Sequence, residues 1–167
     1  LRAANVVETR DQRFAKQIKD QYPMHDFRRA APIMHELRAI KSPIEIELMA
    51  KASEINTQAF LRVMKFLKPG VMEYELEAEF IHEYKRHGSP DFSYTPIIAS
   101  GASACVLHYI ENDKECKDGD LVLFDCGNWY ANYASDVTRC FPVNGRFTDR
   151  QKQVYNAVLR VQKASLD

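Results

Sequence analysis

The sequence lacks long apolar runs, an excess of charge of one sign, internal repeats and low-complexity tracts. No stretch of its 167 residues approaches the ~18 unbroken apolar residues of a membrane-spanning helix, so we expect none. Lys and Arg together number 23, as do Asp and Glu, so the formal net charge is zero. Nucleic-acid binding depends on a basic surface and therefore has no electrostatic support here.

Cysteine is also scarce. Its four copies form no Cys-x-x-Cys pair, and they are Cys105, Cys116, Cys126 and Cys140. A chain of this length can bury a core that is stable without disulfides, so we expect free thiols and a cytoplasmic location. No leader of charged and then apolar residues is present, and the first residue, Leu1, is not Met. We therefore expect the chain to be a piece of a longer protein.

The helical zinc-protease motif His-Glu-x-x-His is absent as well. After His82-Glu83, the position that requires the second His holds Arg86. His87 follows at a spacing of five, about 140° around a helix from His82. Two ligands placed in this way cannot reach one metal, so we expect a polar helix face instead.

What the sequence does contain is a pair of aspartates, Asp125 and Asp136, flanking a segment rich in turn-forming residues. Asp125 ends the apolar run 121–124, and a strand-like segment follows Asp136. A hairpin centred between Tyr130 and Ala131 would place the two carboxylates opposite each other, roughly 4.5–5.5 Å apart at Cβ. Opposed like charges need a cation or a shared proton, so the pair predicts a metal site.

The alternation of side chains supports this interpretation. Asp125 is in phase with Leu121 and Leu123, and Asp136 is in phase with Thr138 and Cys140. Because alternate residues of a strand share a face, we expect both carboxylates on an inward face. The alternative is that they are ordinary solvated acids beside a turn.

His108 is the histidine that we connect with this site. In a strand over 105–110 it would share a face with Val106 and Ile110 and would point inward. Histidine changes its charge near neutral pH, so an inward histidine beside two carboxylates can handle a proton. The alternative is a structural strand histidine without a catalytic role.

Capping and breaking residues predict the order of the elements. Ser42, Pro43 and Glu45 form a helix start, and Pro69-Gly70 a helix end. Helices are predicted over 11–20, from Ser42 to Leu67, over 73–87 and after the cap Thr148. Strands are predicted over 95–99, 105–110, 121–126 and 133–141.

Five motifs in a fixed order carry a family resemblance, and they lie at 37–47, 68–70, 98–112, 118–127 and 133–145. Together they resemble the Xaa-Pro aminopeptidases (aminopeptidase P). One departure is Cys126, where the family more often has Ala, Thr or Met. Its side chain should point away from the metal face.

The resemblance implies an α+β fold of the pita-bread (creatinase/aminopeptidase) type. The chain would supply its first αβ half, with an antiparallel sheet covered by helices. Residues 1–33 would be the tail of the family's N-terminal domain and its linker. Residues 34–167 would be the N-terminal half of the catalytic domain.

The resemblance also implies a chemistry. The residue matching Asp125 binds one of two divalent metals, commonly manganese, and the residue matching Asp136 bridges both. A hydroxide between the metals attacks the carbonyl group before a proline in second position, and the histidine matching His108 assists at the substrate. A later His and two Glu complete the family's site. No histidine follows Asp125 in this sequence.

Three functions are compatible with these motifs: an Xaa-Pro aminopeptidase, an Xaa-Pro dipeptidase (prolidase), and a non-catalytic binding protein on the same fold. Retention of both aspartates favours the two enzymes. Because the remaining ligands are missing, we expect the chain alone to be inactive. We also expect exposed apolar faces on the hairpin and on the helix from Ser42 to Leu67, and hence a homo-oligomer or poor stability.

Overall fold

The computed structural model describes residues 7–166 and divides into two compact units, one up to Lys41 and one from Ser42. The predicted segment 1–33 begins with six residues outside this range. The first unit contains α1 (Arg10–Gln21), as predicted, and α2 (Ala31–Ala39). No helix is predicted over 31–39, where Pro32 is of the residue type that usually breaks a helix. Pro32 instead occupies the first turn, where its missing N–H has no cost.

The second unit begins with two long helices, α3 (Pro43–Phe66) and α4 (Glu73–Arg86). The Ser42 N–H donates to Glu45 Oε2 over 2.6 Å, which confirms the predicted start of α3. A third helix, α5 (Asp149–Ala164), begins after the predicted cap Thr148. None of the helices within 7–166 combines the length and the apolar character that crossing a membrane requires.

The sheet has three antiparallel strands, in the order β1 (Ile97–Ser100), β2 (Leu121–Cys126) and β5 (Val137–Pro142). Between β2 and β5 lies a short hairpin of β3 (Trp129–Tyr130) and β4 (Tyr133–Ala134). The predicted strand over 133–141 is therefore divided in two. The predicted strand over 105–110 is wrong, since a 3-10 helix occupies Gly101–Cys105 and a loop follows.

The core lies between the helical pair and one face of the sheet. The strand β2 turns Val122, Phe124 and Cys126 into it, each with no exposed surface, and its other face is only partly covered. Burying a side chain such as Phe124 stabilises the fold by about 2–3 kcal/mol. Asp125 lies on the partly covered face with Leu121 and Leu123, so the expectation of an inward face is wrong for it.

The expectation that α3 exposes its apolar face is also wrong. The centre of that face is buried within this chain, at Ala52, Ile55, Ala59 and Val63. It packs on α4, which supplies Leu76, Phe80 and Tyr84 to the same core. Exposed apolar residues of α3 lie near its start, at Ile44, Ile46 and Met49, and near its end, at Leu61 and Met64.

The hairpin register differs from the predicted one by one residue at its centre. Ala131 and Asn132 both have positive φ, 48° and 68°, as a two-residue type I′ turn requires. The turn is therefore centred between these two residues, and Asp125 lies opposite Thr138. Asp136 is the diagonal neighbour of Asp125. Moving the turn centre by one residue moves the cross-strand partner of each residue by two positions. Because alternate residues of a strand share a face, the two carboxylates still lie on the same face.

Close packing of the backbone fixes this register at Gly127. A Cβ added there would lie 2.0 Å from the Ser135 carbonyl oxygen and 2.6 Å from Ser93 Oγ. Ser135 is in turn bound to Asn128, because its N–H donates to the Asn128 carbonyl and its hydroxyl to Asn128 Oδ1. The chain segments that carry the two aspartates are thus held in direct contact.

We predict that Gly127→Ala destabilises the protein by about 3 kcal/mol, since the new methyl group meets backbone that cannot move aside. The matched control is Gly145→Ala, where φ is +75° and no atom lies within 4 Å of the added Cβ. That change should cost about 1 kcal/mol for the backbone conformation alone. Urea denaturation measures both. Equal losses in the two variants would contradict the packing argument.

Candidate functional site

A cleft of about 410 Å³ contains all three site residues that the sequence predicts: Asp125, Asp136 and His108. It opens on the partly covered face of the sheet. Its other lining residues come from the segment before β1, from β1 and from the loop after the 3-10 helix, and they are Tyr94, Thr95, Ile97 and Ile110. The fold therefore gathers residues from three separate parts of the sequence.

The hydroxyl of Tyr94 joins the two carboxylates. It lies 2.7 Å from Asp125 Oδ1 and 3.0 Å from Asp136 Oδ1. A phenol has one proton, so it donates to one of these oxygens at a time. Burial raises the pKa of Tyr94, and its hydrogen bonds to Asp125 and Asp136 raise it further. Tyr94 therefore remains a neutral donor between two acceptors.

Ser93, the residue before Tyr94, is bound to the same two chain segments through its backbone and its side chain. The Ser93 N–H donates to the Gly127 carbonyl over 2.9 Å, and Ser93 Oγ donates to the Ser135 carbonyl over 3.0 Å. Tyr94 was missed by the sequence reasoning. It lies in an irregular segment, 31 and 42 positions before the two aspartates, so no period or motif relates it to them.

His108 reaches the cleft from a loop and not from a strand. Its φ is +54°, and its side chain is exposed, as are those of Val106 and Ile110 at 56% and 55%. The expectation that these three residues point inward is therefore wrong. Tyr109 takes the interior position instead, with 5% of its surface exposed. His108 is thus a residue at the rim of the cleft.

The donor atoms of the cleft suit a hard divalent cation in part. Two carboxylates and a phenol present oxygen, the donor that Mg²⁺ and Mn²⁺ prefer. Over residues 7–166, no group of three or more His, Cys, Asp or Glu side chains could hold a metal ion. These residues therefore supply some of the ligands of a metal site, and further ligands are needed to complete it.

Cys126 contributes nothing to this set. Its side chain has no exposed surface and its Sγ lies 3.9 Å from the Ile97 carbonyl oxygen, within the core. Burial raises the pKa of the Cys126 thiol well above its ordinary value, so it is not available as a thiolate. The prediction that this side chain points away from the aspartates is confirmed.

Comparison with known proteins gives a consistent result. Residues 47–167 match metallopeptidase family M24. The Xaa-Pro aminopeptidase of Escherichia coli (strain K12) is 49% identical over 135 residues, which are 81% of this chain and 31% of that protein. The Xaa-Pro dipeptidase of Rattus norvegicus is 46% identical over 134 residues, which are 77% of this chain and 27% of that protein. The chain thus spans only 31% and 27% of the length of these two curated relatives.

A solved structure shows the same likeness in three dimensions. It is a zinc-substituted E. coli aminopeptidase P in complex with product. It matches with a TM-score of 0.80 at 48% identity, and the match covers 82% of this chain and 31% of that one.

We predict that Tyr94→Phe lowers the free energy of unfolding by about 1 kcal/mol, because two neighbouring carboxylates lose their common donor. The matched control is Tyr74→Phe, which removes a hydroxyl from a ring that is 54% exposed and should have no measurable effect. Chemical denaturation of the metal-free protein measures the difference. If the two variants are equally stable, the hydroxyl between the aspartates contributes nothing.

Proposed function

We propose, because this chain belongs to metallopeptidase family M24, that the protein containing it is an Xaa-Pro aminopeptidase. Such an enzyme hydrolyses the bond between an N-terminal residue and a following proline. The observation that carries the proposal is the cleft in which Asp125, Asp136 and His108 meet. The chain has the α+β pita-bread fold predicted from its motifs, of which it forms the first αβ half.

The metal part of the proposal concerns the two aspartates. Asp125 would hold one divalent ion and Asp136 would bridge two, most simply Mn²⁺ given the oxygen donors. Further ligands, one His and two Glu, would come from the rest of the protein. Bound divalent ions supply an activated water and polarise a substrate carbonyl. Tyr94 supports the role of the aspartates, because its hydroxyl orients both of them.

The remaining side chains act on the substrate and on the ligands. His108, exposed at the rim, donates a hydrogen bond to the substrate or moves a proton to the leaving proline nitrogen. Thr138 lies opposite Asp125 in the sheet, which supports a role for its hydroxyl in orienting a carboxylate. The side chains of Ile97 and Ile110 give the cleft apolar walls, which suit a proline ring.

A second candidate is an Xaa-Pro dipeptidase, which accepts only dipeptides. The 46% identity to the Xaa-Pro dipeptidase of Rattus norvegicus supports it.

The proposal extends to partners and location. The partner is a peptide with proline in second position. The exposed apolar residues of α5, which are Val154, Tyr155, Val158 and Val161, support association into a homo-oligomer. All four cysteines are unpaired, which supports a cytoplasmic location.

The direct test uses the full-length protein with added Mn²⁺ and measures alanine release by mass spectrometry. We expect release from Ala-Pro-Pro and none from Ala-Ala-Ala. Cleavage of Ala-Pro alone would establish the dipeptidase instead. Absence of metal-dependent release from either proline peptide would favour a non-catalytic binding protein. The 167-residue chain by itself should be inactive.

Two substitutions in the full-length protein should separate metal binding from catalysis. Asp136→Asn should remove both metals, whereas His108→Ala should keep them and lower turnover roughly 10²–10⁴-fold. The controls are Asp149→Asn and His82→Ala, which change exposed side chains of α5 and α4. Elemental analysis and kcat report the two effects. Retention of both metals in Asp136→Asn would contradict the bridging role, and metal loss in His108→Ala would make His108 a ligand.

A further inference from the structure

A carboxylate outside the cleft, that of Glu73, is completely buried at the start of α4. Its Oε1 accepts hydrogen bonds from the N–H and the hydroxyl of Ser100, both at 2.6 Å. Its Oε2 accepts from the Tyr109 hydroxyl at 2.7 Å and from the Lys114 N–H at 3.0 Å. Four donors thus surround one buried side chain, which is the arrangement that a buried carboxylate requires.

These contacts divide between the two oxygens of Glu73. Oε1 binds Ser100, the last residue of β1, and Oε2 binds Tyr109 and Lys114, which follow His108 in the loop that carries it. The Glu73 N–H also donates to the Lys114 carbonyl over 2.9 Å. One side chain of the core therefore fixes the loop relative to the sheet.

Asn112 fixes the same loop at a second point. Its Oδ1 accepts from the Ile98 N–H over 3.0 Å, and its Nδ2 donates to Glu77 Oε2 and to the Pro96 carbonyl. Glu77 lies one helical turn after Glu73 on α4. The loop is consequently held against α4 and β1 on the C-terminal side of His108.

His108 itself has a conformation that needs such support. A residue other than glycine seldom adopts positive φ, and it persists only where the surrounding structure determines it. At φ +54°, His108 directly precedes Tyr109, whose hydroxyl is bound to Glu73. The positive φ of His108 thus accounts for two features together. It leaves the imidazole of His108 at the rim and directs the phenol of Tyr109 into the interior.

We infer that Glu73 is a positioning residue for His108: it anchors the Tyr109 hydroxyl in the core and thereby holds the imidazole of His108 in the cleft. The effect on turnover rests on the proposed catalytic role of His108. Glu73 does not touch the substrate. Its contribution is to limit the orientations of a side chain that stands in an exposed loop.

The test removes the hydroxyl at the centre of this contact with Tyr109→Phe in the full-length protein, which keeps the buried ring. The matched control is Ser100→Ala, which removes a hydroxyl from the other oxygen of the same carboxylate. Hydrogen exchange of the peptide 106–112 is the first measurement, made without substrate. We expect about tenfold faster exchange in Tyr109→Phe, from the loss of a charge-assisted hydrogen bond, and no change in Ser100→Ala.

The second measurement is a double-mutant cycle between Tyr109→Phe and His108→Ala. We expect Tyr109→Phe to lower kcat about tenfold with KM and metal content unchanged, and to have no further effect once His108 is alanine. Equal multiplicative effects in both backgrounds would assign Tyr109 a general structural role and overturn the inference. So would unchanged exchange of 106–112.

The two measurements also distinguish this inference from the proposed function. Faster loop exchange together with an inactive or His108-independent protein would support the anchoring of His108 and contradict its catalytic role. Unchanged exchange with a His108-dependent enzyme would contradict the anchoring alone.

Discussion

The contact between Gly127 and the Ser135 carbonyl is the constraint on which the site depends. No side chain can stand between these two pieces of backbone, so the chain after β2 and the chain before β5 must touch. This contact makes Asp125 and Asp136 diagonal neighbours on one face. It also leaves room for Ser93 to bind both pieces, which brings the Tyr94 hydroxyl between the carboxylates. The positions of the two carboxylates thus depend on the absence of a Cβ at Gly127.

Buried polar side chains connect the helices to this arrangement. On α3, Asn56 has no exposed surface, and its Nδ2 donates to the Cys126 carbonyl over 3.0 Å, next to Asp125. The Tyr84 hydroxyl of α4 donates to Asn56 Oδ1 over 2.7 Å, so these hydrogen bonds link α4, α3 and the end of β2. Glu73 of α4 likewise fixes the loop that carries His108 by hydrogen bonds. Apolar contacts between helices and sheet are tolerant of small shifts, whereas these hydrogen bonds fix particular atoms at the ends of strands.

The sequence predicted the elements whose signals are local. Two helix starts are marked by nearby capping residues, Ser42 with Glu45 and Thr148. The strand β2 is marked by the apolar run 121–124. The predictions were wrong where a contact with a residue far away in the sequence determines the local structure. Ala131 is an unusual residue for a positive φ, so the turn centre was misplaced by one residue.

The segment after the 3-10 helix alternates like a strand, yet Glu73 and Asn112 hold it as a loop. The aspartate pair could be found because both residues lie on one hairpin. Tyr94 could not be found, because no residue near it in the sequence indicates that its hydroxyl contacts the two aspartates.

The hydrogen bond from Asn56 to Cys126 has a consequence for how the chain folds, because 70 positions separate its two residues. A further contact, between Tyr133 and Glu45, spans 88 positions. Closing a loop of about 70 residues costs on the order of 4 kcal/mol in chain entropy, and that cost is met before the contact forms. The hairpin of β3 and β4 and the pair of α3 and α4 are more local and can form sooner. We therefore expect the hydrogen bond that fixes the end of β2, beside Asp125, to α3 to form after these local elements, in the long-range step of folding.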